Sequence, residues 1–220
     1  MAATRLDGRV ERGNQTRRLI LDRAARIASV EGLEGLSLGR LGKELELSKS
    51  GVFTQFGSKE ELQLATVEAA RTIFTEHVVR PALEAPAGLA RIVRLCDRWL
   101  AYSEERVFPG GCFFFSVAAE FDARRGRVHD SVVQARTAWS AFVTRTLEEA
   151  LDSGELARDT DIPQLAFEIM ALLEAANADS LLHDEEQPAG VVPYRRARRA
   201  ILGRLAGAAA DPAALPAAAD

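Results

Sequence analysis

Leu47-Ser48-Lys49-Ser50-Gly51-Val52-Phe53-Thr54-Gln55-Phe56-Gly57-Ser58-Lys59-Glu60-Glu61-Leu62 contains two helix starts with a helix stop between them. Ser48 is a good N-cap, because a serine hydroxyl accepts from a backbone N–H that the first helical turn leaves without a partner. Val52 and Phe56 lie four apart and share one face of the helix that follows. That leaves Lys49, Ser50, Thr54 and Gln55 for the outside. Gly57 stops this helix, and Ser58 opens the next one with a Ser-x-x-Glu pattern, in which Glu61 reaches back to complete a capping box.

On the N-terminal side, Ser37 caps another short helix whose Leu38, Leu41 and Leu45 recur at helical spacing. Before it, Ile20, Ala24, Ile27 and Ala28 form the buried stripe of a helix that starts at Thr16 and ends near Gly32. Residues 1–13 hold Arg5, Arg9 and Arg12 without an apolar face and are expected to be a flexible basic arm. Three helices result, the second and third joined only by Glu46 and Leu47. That is the layout by which a helix enters the major groove of DNA.

Charge agrees once its distribution is considered. The chain of 220 residues carries a net charge of −4, unfavourable for a nucleic-acid binder, but residues 1–60 alone carry +3 and the remainder −7. Alanine, leucine, arginine and glutamate dominate and strand-like alternation is almost absent, so an all-α fold is expected. The helix opened by Ser58 is expected to run to near Arg80, before Pro81. Further helices fit a start at Pro86 with Leu89 to Leu100 as its apolar face, then Cys112 to Ala123, Val128 to Leu151, Ile162 to Leu182 and Pro193 to Leu205. A loose Ala/Pro-rich tail, 208–220, follows. The longest apolar stretch, Gly111 to Ala119, falls short of the roughly 20 residues of a membrane span. Two cysteines, Cys96 and Cys112, give no disulfide framework, and a cytoplasmic location with no membrane contact is expected.

The run from Thr16-Arg17 through Ser37, Leu41 to Ser48 and above all Leu47 to Leu62 closely resembles the head of TetR-family transcriptional repressors. The resemblance implies a helix-turn-helix DNA-binding domain over 14–60 and a helical effector-binding and dimerisation body over 61–207. Carried over residue by residue, it makes Ser37, Ser48, Lys49, Ser50, Gly51, Phe53, Thr54, Gln55 and Lys59 the DNA-contacting set, with Lys59 and Ser37 on phosphate. Gln55 is the best candidate for base readout, since an amide can bond adenine bidentately. Two residues depart from the family pattern. Phe53 stands where tyrosine is usual, which removes a hydroxyl-to-phosphate bond and leaves apolar contact. Glu46 stands where glycine is common, a strained choice wherever φ is positive.

Aromatic residues concentrate in the body, and aromatics are ordinarily core. The resemblance implies a ligand cavity there, placed among Trp99, Tyr102, Phe115, Trp139, Phe142 and Met170, for a small apolar or amphipathic molecule. The last two helices, roughly 162–182 and 193–205, are expected to form the interface of a homodimer, with Asp179, Asp184, Glu185 and Glu186 available to pair with some of Arg195, Arg196, Arg198, Arg199 and Arg204, inside the chain or across the dimer. That cluster also reads as a second nucleic-acid patch, less well supported. His77, His129 and His183 have no ligand spacing, so no metal and no cofactor are expected. Cys112, at a helix start, is open to a redox role. No nucleophile elbow or phosphate loop is visible, and the expected activity is a ligand-released repressor on a palindromic double-stranded DNA operator, not an enzyme. The competing readings are a helical ligand carrier or protein-interaction module and, behind it, an all-helical enzyme.

Overall fold

A computed structural model describes residues 2–183 and 191–215. The described residues are helical, apart from turns and an isolated antiparallel bridge between Leu156 and Ala209. The elements are α1 (Ala2–Glu31), α2 (Leu38–Glu44), α3 (Lys49–Phe56), α4 (Lys59–Phe74), a π-helical turn (Thr75–Val79), α5 (Arg80–Leu83), α6 (Leu89–Glu104), α7 (Phe113–Phe121), α8 (Arg127–Asp152), α9 (Ile162–Leu182) and α10 (Val192–Ala208), then a 3-10 turn (Pro212–Ala214). They divide into two units, residues 1–72 with 108–133 and residues 73–107 with 134–220.

The first unit holds the head. Its α1 begins at Ala2 and not near Thr16, so the residues expected as an arm are helical. The cause is composition: alanine, arginine, leucine and glutamate are strong helix formers and no proline interrupts them, so an apolar face is not required to extend the helix. Ile20, Ala24, Ile27 and Ala28 are buried, as their spacing requires. The segment 108–133 joins this unit because α7 packs on α1, with Phe108, Phe113 and Phe114 in edge and tilted ring contacts 5.2–5.6 Å apart. At Gly110 the two backbones meet. A Cβ there would lie 1.9 Å from the Ser29 carbonyl oxygen, and the Gly110 N–H donates to Ser29 Oγ at 3.1 Å.

In the second unit the chain passes through Pro81 where a stop was expected. Proline has no N–H for the carbonyl four residues back, that of His77. The helix accommodates this by widening into the π turn Thr75–Val79, and Arg98 Nε donates to the His77 carbonyl at 3.2 Å. Pro86 lies outside α6, which starts after Gly88 (φ +96°); there the Glu155 carboxylate accepts from Leu89 N–H at 3.1 Å. Helices α6, α9 and α10 pack together around a buried polar cluster. Ser103 Oγ donates to Asn177 Oδ1 at 2.7 Å and meets Tyr194 OH at 2.9 Å, while Arg106 donates to the same tyrosine oxygen at 2.7 Å.

The tail is less loose than expected, since Ala157 N–H donates to the Ala208 carbonyl and Ala210 N–H to the Glu155 carbonyl, each at 2.8 Å. Two of the α10 arginines pair with acids within the chain. Arg198 binds Asp97 at 2.8 Å and Arg204 binds Glu168 at 2.5 Å, because these acids lie on the helices α10 packs against, and the His183 ring lies 4.0 Å from the Asp179 carboxylate. Asp184, Glu185 and Glu186 fall outside the described residues. No described helix is long and apolar enough to cross a membrane.

Candidate nucleic-acid interface

The turn between α2 and α3 is built from local backbone chemistry. Ser37 Oγ accepts from Arg40 N–H at 3.1 Å and starts α2. Leu47 N–H returns to the Gly42 carbonyl at 2.7 Å, and between them Glu46 adopts φ +56°, the left-handed conformation that glycine tolerates best. Ser48 Oγ then accepts from Gly51 N–H at 3.0 Å, and α3 runs until Gly57 (φ +75°), whose N–H closes on the Phe53 carbonyl at 2.7 Å. Half of the expected capping box forms at the next helix. Ser58 Oγ accepts from Glu61 N–H at 3.1 Å, but the Glu61 carboxylate lies 2.6 Å from Arg127.

Val52 and Phe56 face inward and are buried, while Lys49, Ser50, Gly51, Phe53 and Thr54 are exposed and Gln55 is half-buried. Phe53 keeps 53% of its surface in water, unusual for a large apolar side chain unless something covers it. Several hydroxyls are already occupied. Ser48 and Ser50 meet at 3.1 Å, and Thr54 donates back to the Ser50 carbonyl at 2.8 Å. They hold the helix start rigid, and each hydroxyl oxygen keeps acceptor capacity for a base donor, while a phosphate, which only accepts, requires a hydroxyl proton that is not donated to its present partner.

Two braces were not apparent from sequence. Arg17 of α1 donates to the Gln55 carbonyl and stacks over the Phe56 ring at 4.3 Å, fixing the C-terminal end of α3. Its i, i+4 neighbours gave no hint of this, since the partner is 38 residues away. The second brace starts at Lys59, whose Nζ donates to the Glu34 carbonyl at 2.7 Å and to its carboxylate at 3.0 Å. Lys59, then Gln63, bond the Glu34 carboxylate and hold its pKa below the ordinary carboxylate value. The turn carrying Glu34 is itself clamped, with Glu120 of α7 accepting from the N–H groups of Leu33 at 2.7 Å and Glu34 at 2.8 Å.

Of the residues expected to line a ligand cavity, Trp99, Tyr102, Trp139, Phe142 and Met170 belong to the second unit and Phe115 to the first. Phe74 meets both Tyr102 (5.4 Å) and Trp139 (5.1 Å) edge-on, and Trp139 lies 6.4 Å from Phe142. Cys96 is buried, and desolvation pushes its thiol far above the ordinary range; Cys112 is buried at the start of α7. Among the described residues no group of three or more His, Cys, Asp or Glu is placed to hold a metal ion.

The fold and this site define a class: a helical DNA-binding regulator whose short, doubly capped recognition helix is carried by an N-terminal head. Comparison with known proteins narrows it. Residues 20–66 match the family described as bacterial regulatory proteins, tetR family, and residues 88–201 match the tetracyclin repressor-like C-terminal domain. A TetR transcriptional regulator from Chloroflexus aurantiacus J-10-fl has a similar structure, with TM-score 0.76 and 23% identity over 87% of this chain and 96% of that one. AibR, solved in complex with isovaleryl coenzyme A and operator DNA, gives 0.61 and 18% over 74% and 85% of the two chains. A Saccharomonospora viridis protein in complex with choline gives 0.67 and 20% over 86% and 96%. None of the curated proteins matches the chain in sequence. Because the match to the C-terminal domain alone spans just over half of the chain, the protein belongs to the TetR family of DNA-binding transcriptional regulators, in which a repressor role, release by ligand and dimerisation are typical.

Proposed function

We propose that this protein is a homodimeric repressor that lays α3 of each protomer in successive major grooves of a palindromic operator and is released by a small ligand bound in its body. The observation that carries this is the two-sided character of α3, with Val52 and Phe56 buried while Lys49, Phe53 and Thr54 stand exposed beside a capped N-terminus. Ser37, Ser48, Ser50 and Lys59 supply phosphate contacts, Gly51 lets the DNA backbone come close, Phe53 adds apolar contact beside it, and Thr54 and Gln55 reach base edges.

The dimer is supported by α9, on which Phe167 (64% exposed) and Leu182 (81%) share one face with the exposed Ala171 and Ala175. Large exposed apolar residues aligned along one helix face mark a surface that a partner covers. Ligand binding is supported by the aromatic group in the second unit, where Trp99, Tyr102, Trp139, Phe142 and Met170 favour a molecule with apolar area. The neighbours' ligands, an acyl coenzyme A and choline, have carbon surface of that kind. A ligand releases DNA only if it binds better to the body conformation whose heads mismatch the operator.

The test is a mobility-shift titration of fragments from beside its own coding region at several salt concentrations. Binding should weaken steeply with salt, and Lys59→Ala should weaken it on every sequence and flatten the slope. A salt-independent affinity, or no shift on any fragment, overturns the reading. The two tryptophans both lie in the aromatic group, so ligands are found by quenching of intrinsic fluorescence, and a quenching ligand should also dissociate the operator complex.

A further inference from the structure

Between α7 and α8 lies a basic run that the recognition helix leaves unexplained, Asp122-Ala123-Arg124-Arg125-Gly126-Arg127. All six residues are exposed, and they belong to the same unit as the head. Two of the arginines touch the surface around Lys59. Arg124 lies 3.6 Å from the Glu34 carboxylate that also takes Lys59 at 3.0 Å. Arg127 pairs with Glu61 at 2.6 Å and Glu60 at 3.1 Å, the residues that follow Lys59 in the first turn of α4. Arg125 has weaker ties, to the Arg124 carbonyl at 3.4 Å and to the His129 ring at 3.0 Å, a ring that in turn lies 2.9 Å from Asp130.

We propose that the α7–α8 turn is a second phosphate-binding element of the head, with Arg124 and Arg125 gripping the DNA backbone next to the phosphate held by Lys59. This rests on the operator-binding reading above. Arg127 braces the turn against α4, whose first turn follows the recognition helix after only Gly57 and Ser58. Arg124 and Arg125 are thereby held beside the DNA-facing end of the head. The charge that favours DNA is that of Arg124 and Arg125 themselves, since Arg127, the first residue of α8, is taken up by Glu60 and Glu61, while Asp122 is the one acid on the turn.

The carboxylates nearby do not prevent this. The Arg124 to Glu34 contact is longer than the ~2.7–2.9 Å of a tight charge-assisted bond, and both side chains are 49% exposed. A phosphate can therefore displace Glu34 without stranding a buried charge. A guanidinium offers two parallel N–H groups that match two phosphate oxygens, so arginines suit this role better than lysines. Phosphate contacts of this kind add affinity and register but no base preference.

The experiment uses the full chain and an operator fragment, with Arg124→Ala/Arg125→Ala compared with wild type from low to high salt. The log affinity against log salt plot should become shallower by ~0.9 for each contact removed. The loss should be equal on operator and scrambled DNA, leaving the ratio between them unchanged. Arg124→Lys/Arg125→Lys, which keeps the charge, should restore the slope. A wild-type slope in the alanine variant, or a fall in the operator-to-scrambled ratio, overturns the proposal for the turn while leaving operator binding intact. Failure of the wild-type protein to bind any fragment removes both readings together.

Discussion

Glu46 shows how one backbone angle adds information to a sequence. Its φ of +56° costs a side-chain-bearing residue about 1 kcal/mol relative to glycine, and Gly42 and Leu47 pin the turn so that the angle cannot relax. Glu46→Gly should therefore raise stability by about 1 kcal/mol, less the extra entropy glycine brings to the unfolded chain, seen as a higher urea midpoint at unchanged m-value. A lower midpoint would show that the Glu46 side chain stabilises the turn by more than its strain. Phe53 is the second informative position. It is exposed on α3 but lacks the tyrosine hydroxyl usual in the family, so Phe53→Tyr should tighten binding to operator and scrambled DNA alike. One new hydrogen bond to a phosphate corresponds to ~1 kcal/mol or more. Tightening confined to the operator would place the ring over bases instead.

At the scale of elements, what was legible from sequence was whatever local chemistry determines. The starts of α2 and α3, the Gly57 stop and the inward pair Val52 and Phe56 follow from caps and i, i+4 spacing, and the structure has them where those rules put them. The braces were hidden because their partners are distant in sequence: Arg17 to Gln55 spans 38 residues, and Glu120 to Leu33 spans 87. The same limit hides the packing of α7 on α1, since nothing in the pattern of 108–133, which lies within the C-terminal family match, announces it. Arg17→Ala should lower stability by ~1–2 kcal/mol through loss of its stacking and hydrogen bond, and weaken operator binding by loosening α3. Because Arg17 spends its guanidinium on Gln55 and Phe56, the salt slope should not change; a shallower slope would make it a phosphate contact. Glu34 adds a pH dependence. Its folded pKa is lowered, chiefly by Lys59, so its contribution to stability is complete above the unfolded carboxylate value and is lost as pH falls through the folded one. Glu34→Gln should flatten the acid limb of the melting-temperature profile, and an unchanged limb would show the pairing to be too solvent-screened to count.

Across the whole molecule, residues 61–220 carry −7, so outside the arginines of the α7–α8 turn they add no attraction for DNA, and affinity gains from two heads binding at once. Half-sites one helical turn apart, ~34 Å, require the heads to be linked, and linkage turns the second binding event into an intramolecular one that multiplies affinity ~10²–10⁴-fold. The exposed stripe of α9 is where that linkage is proposed, and its composition makes the proposal testable without harming the fold. Phe167 has 64% of its surface in solvent and Ala171 and Ala175 are exposed beside it, so a charge at 167 meets water in the monomer but is buried without a partner in the dimer. Phe167→Glu should therefore sediment as a monomer with unchanged helical circular dichroism. Its affinity should fall at least ~10²-fold on a two-half-site operator and little on a single half-site, because each head is intact and only the coupling is gone. If the variant stays dimeric, the interface lies on another face. If it is monomeric yet binds the full operator as tightly as wild type, operator affinity does not come from coupled heads.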